Sequence, residues 1–220
     1  MIKKPVGTVM SASNFPNPRN RTNEGVIAVG GRITVKNLVE SYSHGIFPWP
    51  HDGYPMLWFC PDERGVIEFK NVKPPKSFMK WYRKHKPNFE ITMNKDFASV
   101  IKNCKDQKRA GQAGTWIIPQ MQKTYTQLHQ AGYAISLEVW QNKNLVGGIY
   151  AVQSEKYFSC ESMFFKVSNA SKLALYELIL HLQSLGHTWM DIQMVTPVCE
   201  SFGGRLIPKS VFLDLLGLKK

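Results

Sequence analysis

Acidic side chains are scarce in this 220-residue chain, where 16 Asp and Glu face 28 Lys and Arg for a formal charge of +12. An imbalance of that size points to a polyanionic partner, either nucleic acid or an anionic membrane surface. Cysteine is scarce too. Cys60, Cys104, Cys160 and Cys199 stand at least 39 residues apart with no C-x-x-C pair, which excludes a disulfide framework and a zinc knuckle and reads as four reduced thiols. No apolar run follows the Met-Ile-Lys-Lys-Pro start, so the expected compartment is the cytoplasm. The most apolar helical stretch, Leu173 to Leu185, carries Glu177 and His181 and falls short of the roughly 20 apolar residues of a membrane span. Repeats, heptads, G-x-S-x-G, H-E-x-x-H, a P-loop and G-x-G-x-x-G are all missing. Solenoid, coiled-coil, serine-hydrolase, zincin, NTPase and dinucleotide-binding readings therefore lose their support. What is present is 43% hydrophobic and 20% charged sequence with 18 Phe and Trp, enough to bury a core without staples.

The positive charge is localised. Between Lys70 and Arg109 twelve bases meet three acids, so this segment holds +9 of the chain's +12. Inside it, Lys76 to Lys86 reads KSFMKWYRKHK, with Phe78, Met79 and Tyr82 at helical spacing on one face and Lys76, Lys80, Arg83 and Lys84 projecting elsewhere. Two readings stand for this basic amphipathic helix: a solvated face, or a face that meets phosphates. The apolar side is narrow for a membrane-surface helix.

Residues 1 to 24 are rich in Asn, Pro, Ser and Arg and read as an irregular arm pinned by Phe15. Gly25 to Gly31 reads as an apolar strand or turn, and Thr34 caps a short helix that Gly45 closes. Prolines forbid helix in Ile46-Phe47-Pro48-Trp49-Pro50, and Met56 to Cys60 forms a short strand ended by Pro61. The Lys73-Pro74-Pro75 step marks a division, giving a small N-terminal domain over residues 1–70 and a second domain over residues 71–220. After it, helices are expected at about 76–85, 95–105, 119–131, 169–185 and 208–216. Strands are expected at about 88–93, 133–141, 145–153, 156–164 and 188–194, with a hairpin turn at Asn142-Lys143-Asn144. The fold class is α+β: an antiparallel meander followed by a β-α-β crossover.

Strand alternation places Asp191 and Gln193 on the same face of their strand, and likewise Glu161 and Met163 on theirs. A carboxylate between Met190 and Ile192 needs a partner or a chemical task, because burying it alone is expensive. The plain alternatives are a hydrogen bond from a neighbour for Asp191 and a base such as Lys172 for Glu161. Ser168 or Asn169 can cap the long helix that follows, whose amino end favours ester or phosphate oxygens. His129 and His181 read as core-edge or surface residues. Cys160 reads as a nucleophile or, more simply, as a packed small hydrophobe.

Eight collinear strings over residues 24 to 216 resemble the leucyl/phenylalanyl-tRNA protein transferases. They are GVIAVGG at 25–31, YSHGIFPW at 42–49, LWFCPD at 57–62, GTWI at 114–117, EVW with LVGGIY at 138–150, FSCESMF at 158–164, NASK at 169–172 and DIQ at 191–193. The resemblance implies a small N-terminal domain followed by an N-acetyltransferase-like domain with a mixed, mainly antiparallel sheet and flanking helices. It implies transfer of Leu, Phe or Met from aminoacyl-tRNA to the α-amino group of proteins beginning with Arg or Lys, marking them for degradation, with no metal and no cofactor. An aminoacyl ester is already activated and an α-amino group titrates near pH 8, so alignment and mild base help suffice.

By matching motif, Asp191 and Gln193 form a proton relay on the attacking amine and Glu161 holds the reacting group. Ile149, Leu175, Leu178, Met190 and Met163 line the pocket for the transferred side chain. Trp49, Trp116 and Tyr42 contact the terminal adenosine and acceptor, and Lys76, Lys80, Arg83 and Lys84 meet tRNA phosphates. The chain departs from the family at Arg32, where an acid is common, and at Thr196-Pro197-Val198, positions that bear on acceptor and tRNA selectivity. Two other readings remain: an N-acyltransferase using a small acyl donor, and a non-catalytic RNA-binding module. Lys166-Val167-Ser168-Asn169-Ala170 stands where the first would carry a Q/R-x-x-G-x-G/A loop, and the second has no need of Asp191, Gln193 and Glu161.

Overall fold

In a computed structural model of the chain, residues 15–20, 24–51, 53–108 and 115–218 are described. The small strands are β1 (Val26–Val29), β2 (Phe47–Trp49) and β3 (Leu57–Phe59). The others are β4 (Glu63–Glu68), β5 (Glu90–Met93), β6 (Ala134–Gln141), β7 (Asn144–Gln153), β8 (Phe158–Phe165), β9 (Trp189–Gln193) and β10 (Gly204–Pro208). Helices are α1 (Val35–Ser43), α2 (Lys76–His85), α3 (Phe97–Asp106), α4 (Pro119–Gln130), α5 (Ala170–Ser184), α6 (Pro197–Ser201) and α7 (Lys209–Leu215). The expected helices and strands after residue 75 all form, with ends shifted by one or two residues.

The first three strands make a small sheet in the order β1-β3-β2, and the other seven make one sheet in the order β10-β4-β9-β8-β7-β6-β5. All pairs in the large sheet are antiparallel except β8 with β9, which α5 connects as a crossover. The fold is therefore α+β with a mainly antiparallel sheet, as the meander pattern required. Asn142 and Lys143 take φ of 50° and 63°, the left-handed pair that a two-residue hairpin between right-twisted strands demands. Gly147 permits the crossover helix to sit down on the sheet: a Cβ there would lie 2.6 Å from the Ala170 Cβ.

Two apolar layers sandwich the sheet. One gathers Leu173, Leu178 and Leu182 of α5 with Phe78 of α2 and the sheet residues Ile135, Leu137 and Ala151. The other joins Val100 of α3, Tyr125 of α4 and Phe212 of α7 to the small unit through Leu38, Phe47 and Trp58. Phe15 packs edge-on against Trp58 at 4.9 Å, so the arm is pinned where the sequence placed the pin. Most of that arm, Arg109 of the basic segment and Gly114 of GTWI lie outside the described residues. Among the described residues no helix is long and apolar enough to cross a membrane.

Two expectations need correction. β4 was assigned to the small N-terminal domain by the division after residue 70, yet it pairs with both β9 and β10 in the large sheet. Its burial is nearly continuous from Arg64 to Ile67, the pattern of a strand covered on both faces, so alternation gave no signal for it. Asn169 stands at the amino end of α5 with φ of 64°, but its side chain makes no capping hydrogen bond.

Candidate active site

The site lies where β8 and β9 run side by side. Each strand carries an extra residue there. On β8, Tyr150 faces Ser162 and Ala151 faces Cys160, so Glu161 is the bulged residue; on β9, Gly65 faces Gln193 and Val66 faces Asp191, so Ile192 is extra. A bulge re-aims side chains and breaks two-residue alternation, which is why simple face counting could not pair these groups. Gln193 ends its strand with φ of 58°, and the Met194 N–H closes onto the Ile192 carbonyl at 2.6 Å. This tight, left-handed turn is strained for a side-chain-bearing residue. Gly65 makes room for it, since a Cβ there would stand 3.0 Å from the Met194 carbonyl carbon and 3.2 Å from that of Gln193.

One hydrogen-bonded chain links the two strands. Asp191 is completely buried and accepts from Arg64 Nε at 2.7 Å and Arg64 Nη2 at 2.8 Å, from Ser159 Oγ at 2.6 Å and from the Gln193 backbone N–H at 2.9 Å. Two carboxylate oxygens offer about four acceptor positions, and all are filled. Arg64 is equally buried. Its third nitrogen donates to the Gly45 carbonyl at 3.1 Å, and its guanidinium lies between the rings of Phe47 and Phe212, each centroid 4.6 Å away. Burial works against the charge on Arg64, but the adjoining Asp191 overrides it and raises the guanidinium pKa above its ordinary value. The pair is a dry, bidentate clamp between the small unit, β4, β9 and α7.

Glu161 is the opposite case. Gln193 Nε2 donates to its Oε1 at 2.8 Å and the Tyr42 hydroxyl also hydrogen-bonds to it, while among the described residues no Lys, Arg or His forms an ion pair with it. Burial dominates and lifts its pKa from 4.5 to about 7, with Asp191 adding a smaller push in the same direction. Lys172, the base considered for Glu161 from sequence, does not pair with it. Cys160 and Cys199 lie nearby, and burial pushes both thiols up, away from the thiolate a nucleophile needs.

Two openings meet at this network. An inner pocket of about 170 Å³ is lined by Ile149, Met163, Leu175 and Ile192, with Glu161 and Gln193 at one side and Trp49 and Trp116 at another. An apolar cavity of about 150 Å³ accommodates a benzene ring, so a Leu, Met or Phe side chain fits. Leu178 and Met190 do not line it: both are core residues, Met190 lying behind Cys160, whose Sγ is 3.5 Å from the methionine sulfur. α5 presents Leu175 to the pocket, while Leu178, one turn further on, packs into the core. A larger outer cleft of about 540 Å³ shares Trp49, Gln193 and Met194 with the inner pocket.

The aromatic residues divide. Trp49 and Trp116 stack on each other, nearly parallel at 11° with centroids 5.6 Å apart. A ring held between them would need about 7 Å, twice a carbon–carbon contact, so a base can stack only on an outer face of the closed pair. Tyr42, expected to touch adenosine or acceptor, is 1% exposed, and its hydroxyl lies 2.7 Å from that of Tyr125. Its hydroxyl acts on the Glu161 carboxyl instead, holding that pKa down against burial. Lys76, Lys80, Arg83 and Lys84 are all exposed on α2, which is anchored to the α5 side of the sheet by Phe78 against Tyr176 and Phe202. His129 stacks on Phe97 at 4.4 Å and His181 is half-buried on α5, both away from the network.

Sequence reading missed Arg64. In Asp62-Glu63-Arg64-Gly65 it looks like part of a solvated turn, and only the strand pairing buries it. Thr196-Pro197, noted as a departure, has a local role: Thr196 Oγ1 accepts from the Cys199 N–H at 3.2 Å and Pro197 begins α6.

Residues 66–217 match the leucyl/phenylalanyl-tRNA protein transferase family, and residues 31–62 match the N-terminal domain of that family. The leucyl/phenylalanyl-tRNA protein transferase of Flavobacterium psychrophilum is 41% identical over 203 residues, covering 92% of this chain and 95% of that protein. Those of Flavobacterium johnsoniae and Shewanella halifaxensis are each 42% identical, covering 93% and 92% of this chain and 96% and 85% of theirs. Among solved structures, L-PGS from Bacillus licheniformis overlaps 70% of this chain and 63% of its own at 11% identity, with a TM-score of 0.44, too loose to define a relationship. With both its regions matched and relatives of this identity spanning nearly its whole length, the chain belongs to the leucyl/phenylalanyl-tRNA protein transferase family.

Proposed function

We propose that this aminoacyltransferase moves Leu, Phe or Met from its tRNA to the α-amino group of proteins that begin with Arg or Lys, in the cytoplasm, marking them for degradation. The observation that carries the reading is Glu161, a carboxyl in the inner pocket with a pKa of about 7, paired with no cation among the described residues and hydrogen-bonded to Gln193, which lines both clefts. A base poised near pH 7 suits an amine that titrates near 8, since the proton transfer is nearly balanced.

In this scheme the transferred side chain enters the inner pocket against Ile149, Met163 and Leu175. A shape with branching at Cβ is disfavoured there, and the tRNA's terminal adenosine stacks on the outer face of the Trp49 and Trp116 pair. The acceptor amine hydrogen-bonds to the Gln193 side-chain oxygen, because the amide nitrogen is already committed to Glu161. As the nitrogen attacks the ester carbonyl, a C–N bond forms and the C–O bond to the ribose breaks. The ammonium proton passes to Glu161, which hands it to the departing ribose oxygen, so the ribose leaves as a hydroxyl and Glu161 returns to the carboxylate. Asp191, filled by four donors and shut from both clefts, holds Gln193 in its strained turn and takes no proton; it is a positioning residue. Phosphates of the acceptor stem meet Lys76, Lys80, Arg83 and Lys84, which position the RNA without reading its sequence.

The test supplies leucyl-tRNA and a peptide with N-terminal Arg and follows the leucyl-peptide conjugate. Conjugate formed by the wild type and lost in Glu161→Gln, with leucyl-tRNA binding retained, is expected. Absence of conjugate together with acyl transfer from acetyl-CoA would overturn the reading in favour of a small-donor acyltransferase.

A further inference from the structure

The reaction brings two substrates to one nitrogen, and the structure has two openings that share Gln193. Their shapes differ in a way that assigns them. The donor's side chain is a dead end, which the 170 Å³ inner pocket suits. The acceptor's first residue continues into a whole protein, so its subsite must open to solvent. The 540 Å³ outer cleft does: Met194 and Leu206 on its walls are 51% and 46% exposed. Phe59 and Pro61 add apolar lining, and the exposed Glu24 and Glu63 line it as well. Among the described residues neither glutamate forms an ion pair, in a protein that carries 28 bases. Among the described residues His51 is the one basic side chain that lines the cleft.

We propose that the outer cleft is the subsite for the side chain of the acceptor's first residue, and that Glu24 and Glu63 select a long aliphatic chain ending in a cation. This rests on the transferase reading above. A largely apolar trough whose lining includes Gln193 and two carboxylates is complementary to the methylene stem and charged head of Lys or Arg, whose stems pack on apolar surface while the head stays at the water edge. A short or acidic first residue leaves the trough unfilled or sets like charges together. The α-amino group then lies at Gln193 with its own side chain directed away from the inner pocket, so donor and acceptor side chains do not compete for one space.

The experiment measures conjugate formation from leucyl-tRNA with peptides differing only in the first residue: Arg, Lys, norleucine and Glu. Norleucine keeps the stem and lacks the charge. The double variant Glu24→Gln, Glu63→Gln is expected to raise KM for the Arg and Lys peptides roughly tenfold, the order given by two solvent-edge ion pairs, while the norleucine KM moves far less. Charge reversal to Lys at both positions should bring the Glu peptide above the Arg peptide. Equal changes for Arg and norleucine in the double variant, or an unchanged Arg-to-norleucine ratio, would overturn the subsite while leaving the transferase reading intact. Failure of the wild type to form any conjugate overturns both.

Discussion

Asp191 and Glu161 are carboxylates on neighbouring strands of one sheet, joined through Ser159 and Gln193, and they have opposite fates. Asp191 meets a guanidinium with both oxygens and faces no opening. Glu161 has only neutral donors among the described residues, borders the inner pocket and is pushed to about pKa 7. Glu138 supplies a control: like Glu161 it is held by neutral donors, Ser136 and Thr92, and it is fully buried, but it stands on β6 with its carboxylate toward the β5 to α3 turn and lines neither cleft. A buried carboxylate with a matched cation is architecture, and one without a cation is available for chemistry only when a cleft reaches it.

The most severe way to break the contrast is to uncover Asp191. Arg64→Met leaves a dry, unpaired carboxylate and should destabilise the fold by about 3–5 kcal/mol, read from urea unfolding. Adding Asp191→Leu should recover much of that stability without recovering activity, because the Gln193 turn loses its anchor. Recovery of both would mean the clamp does not position Gln193.

Removing the other carboxylate separates function from stability. Glu161→Gln should lower kcat by roughly 10²–10⁴-fold, the usual range for a general base. The wild type should lose activity as pH falls through about 7, where Glu161 takes up its proton, and that limb should vanish in the variant. The stability effect has the opposite sense. A carboxyl whose pKa rises from 4.5 to about 7 on folding stabilises the native state below 4.5 and loses that contribution as pH climbs through 7. Glu161→Gln should therefore melt higher than the wild type at pH 8 and no higher near pH 4.5. An unchanged melting difference across that range would remove the burial argument.

A smaller perturbation acts between the two. Gly65→Ala puts a methyl against the Gln193 and Met194 backbone and should cost about 1–3 kcal/mol of stability by overpacking, with kcat falling more than KM rises. The mildest change is remote. Lys80→Ala, Arg83→Ala and Lys84→Ala together should raise the apparent KM for tRNA about tenfold and reduce its salt slope by up to three, without altering the melting temperature. An unaltered salt slope would make the face of α2 a solvated surface.

Much of this was legible locally. The β6, β7 and β8 meander, α5 and β9 follow from apolar periodicity and the Asn-Lys-Asn turn, and Asp191 and Glu161 stood out as carboxylates inside apolar strands. β4 and β10 escaped, because the covered stretch of β4 follows an acidic turn and β10 begins at a Gly-Gly step with two exposed residues following. Leu178 and Met190 share the apolar character of Leu175 and Ile149, so composition could not tell a pocket wall from the core behind it.

The sequence by itself determined what depends on neighbours along the chain: the helix and strand periods, the capping of α1 by Thr34, the basic face of α2 and the family to which the motifs belong. Tertiary structure decided what depends on register between distant segments. Two bulges, one at Glu161 and one at Ile192, shift alternation by a residue on each strand, and a strand 127 positions before Asp191 brings the guanidinium that neutralises it. Charge compensation is set by distance and burial, and neither is a property of a residue's position in the chain.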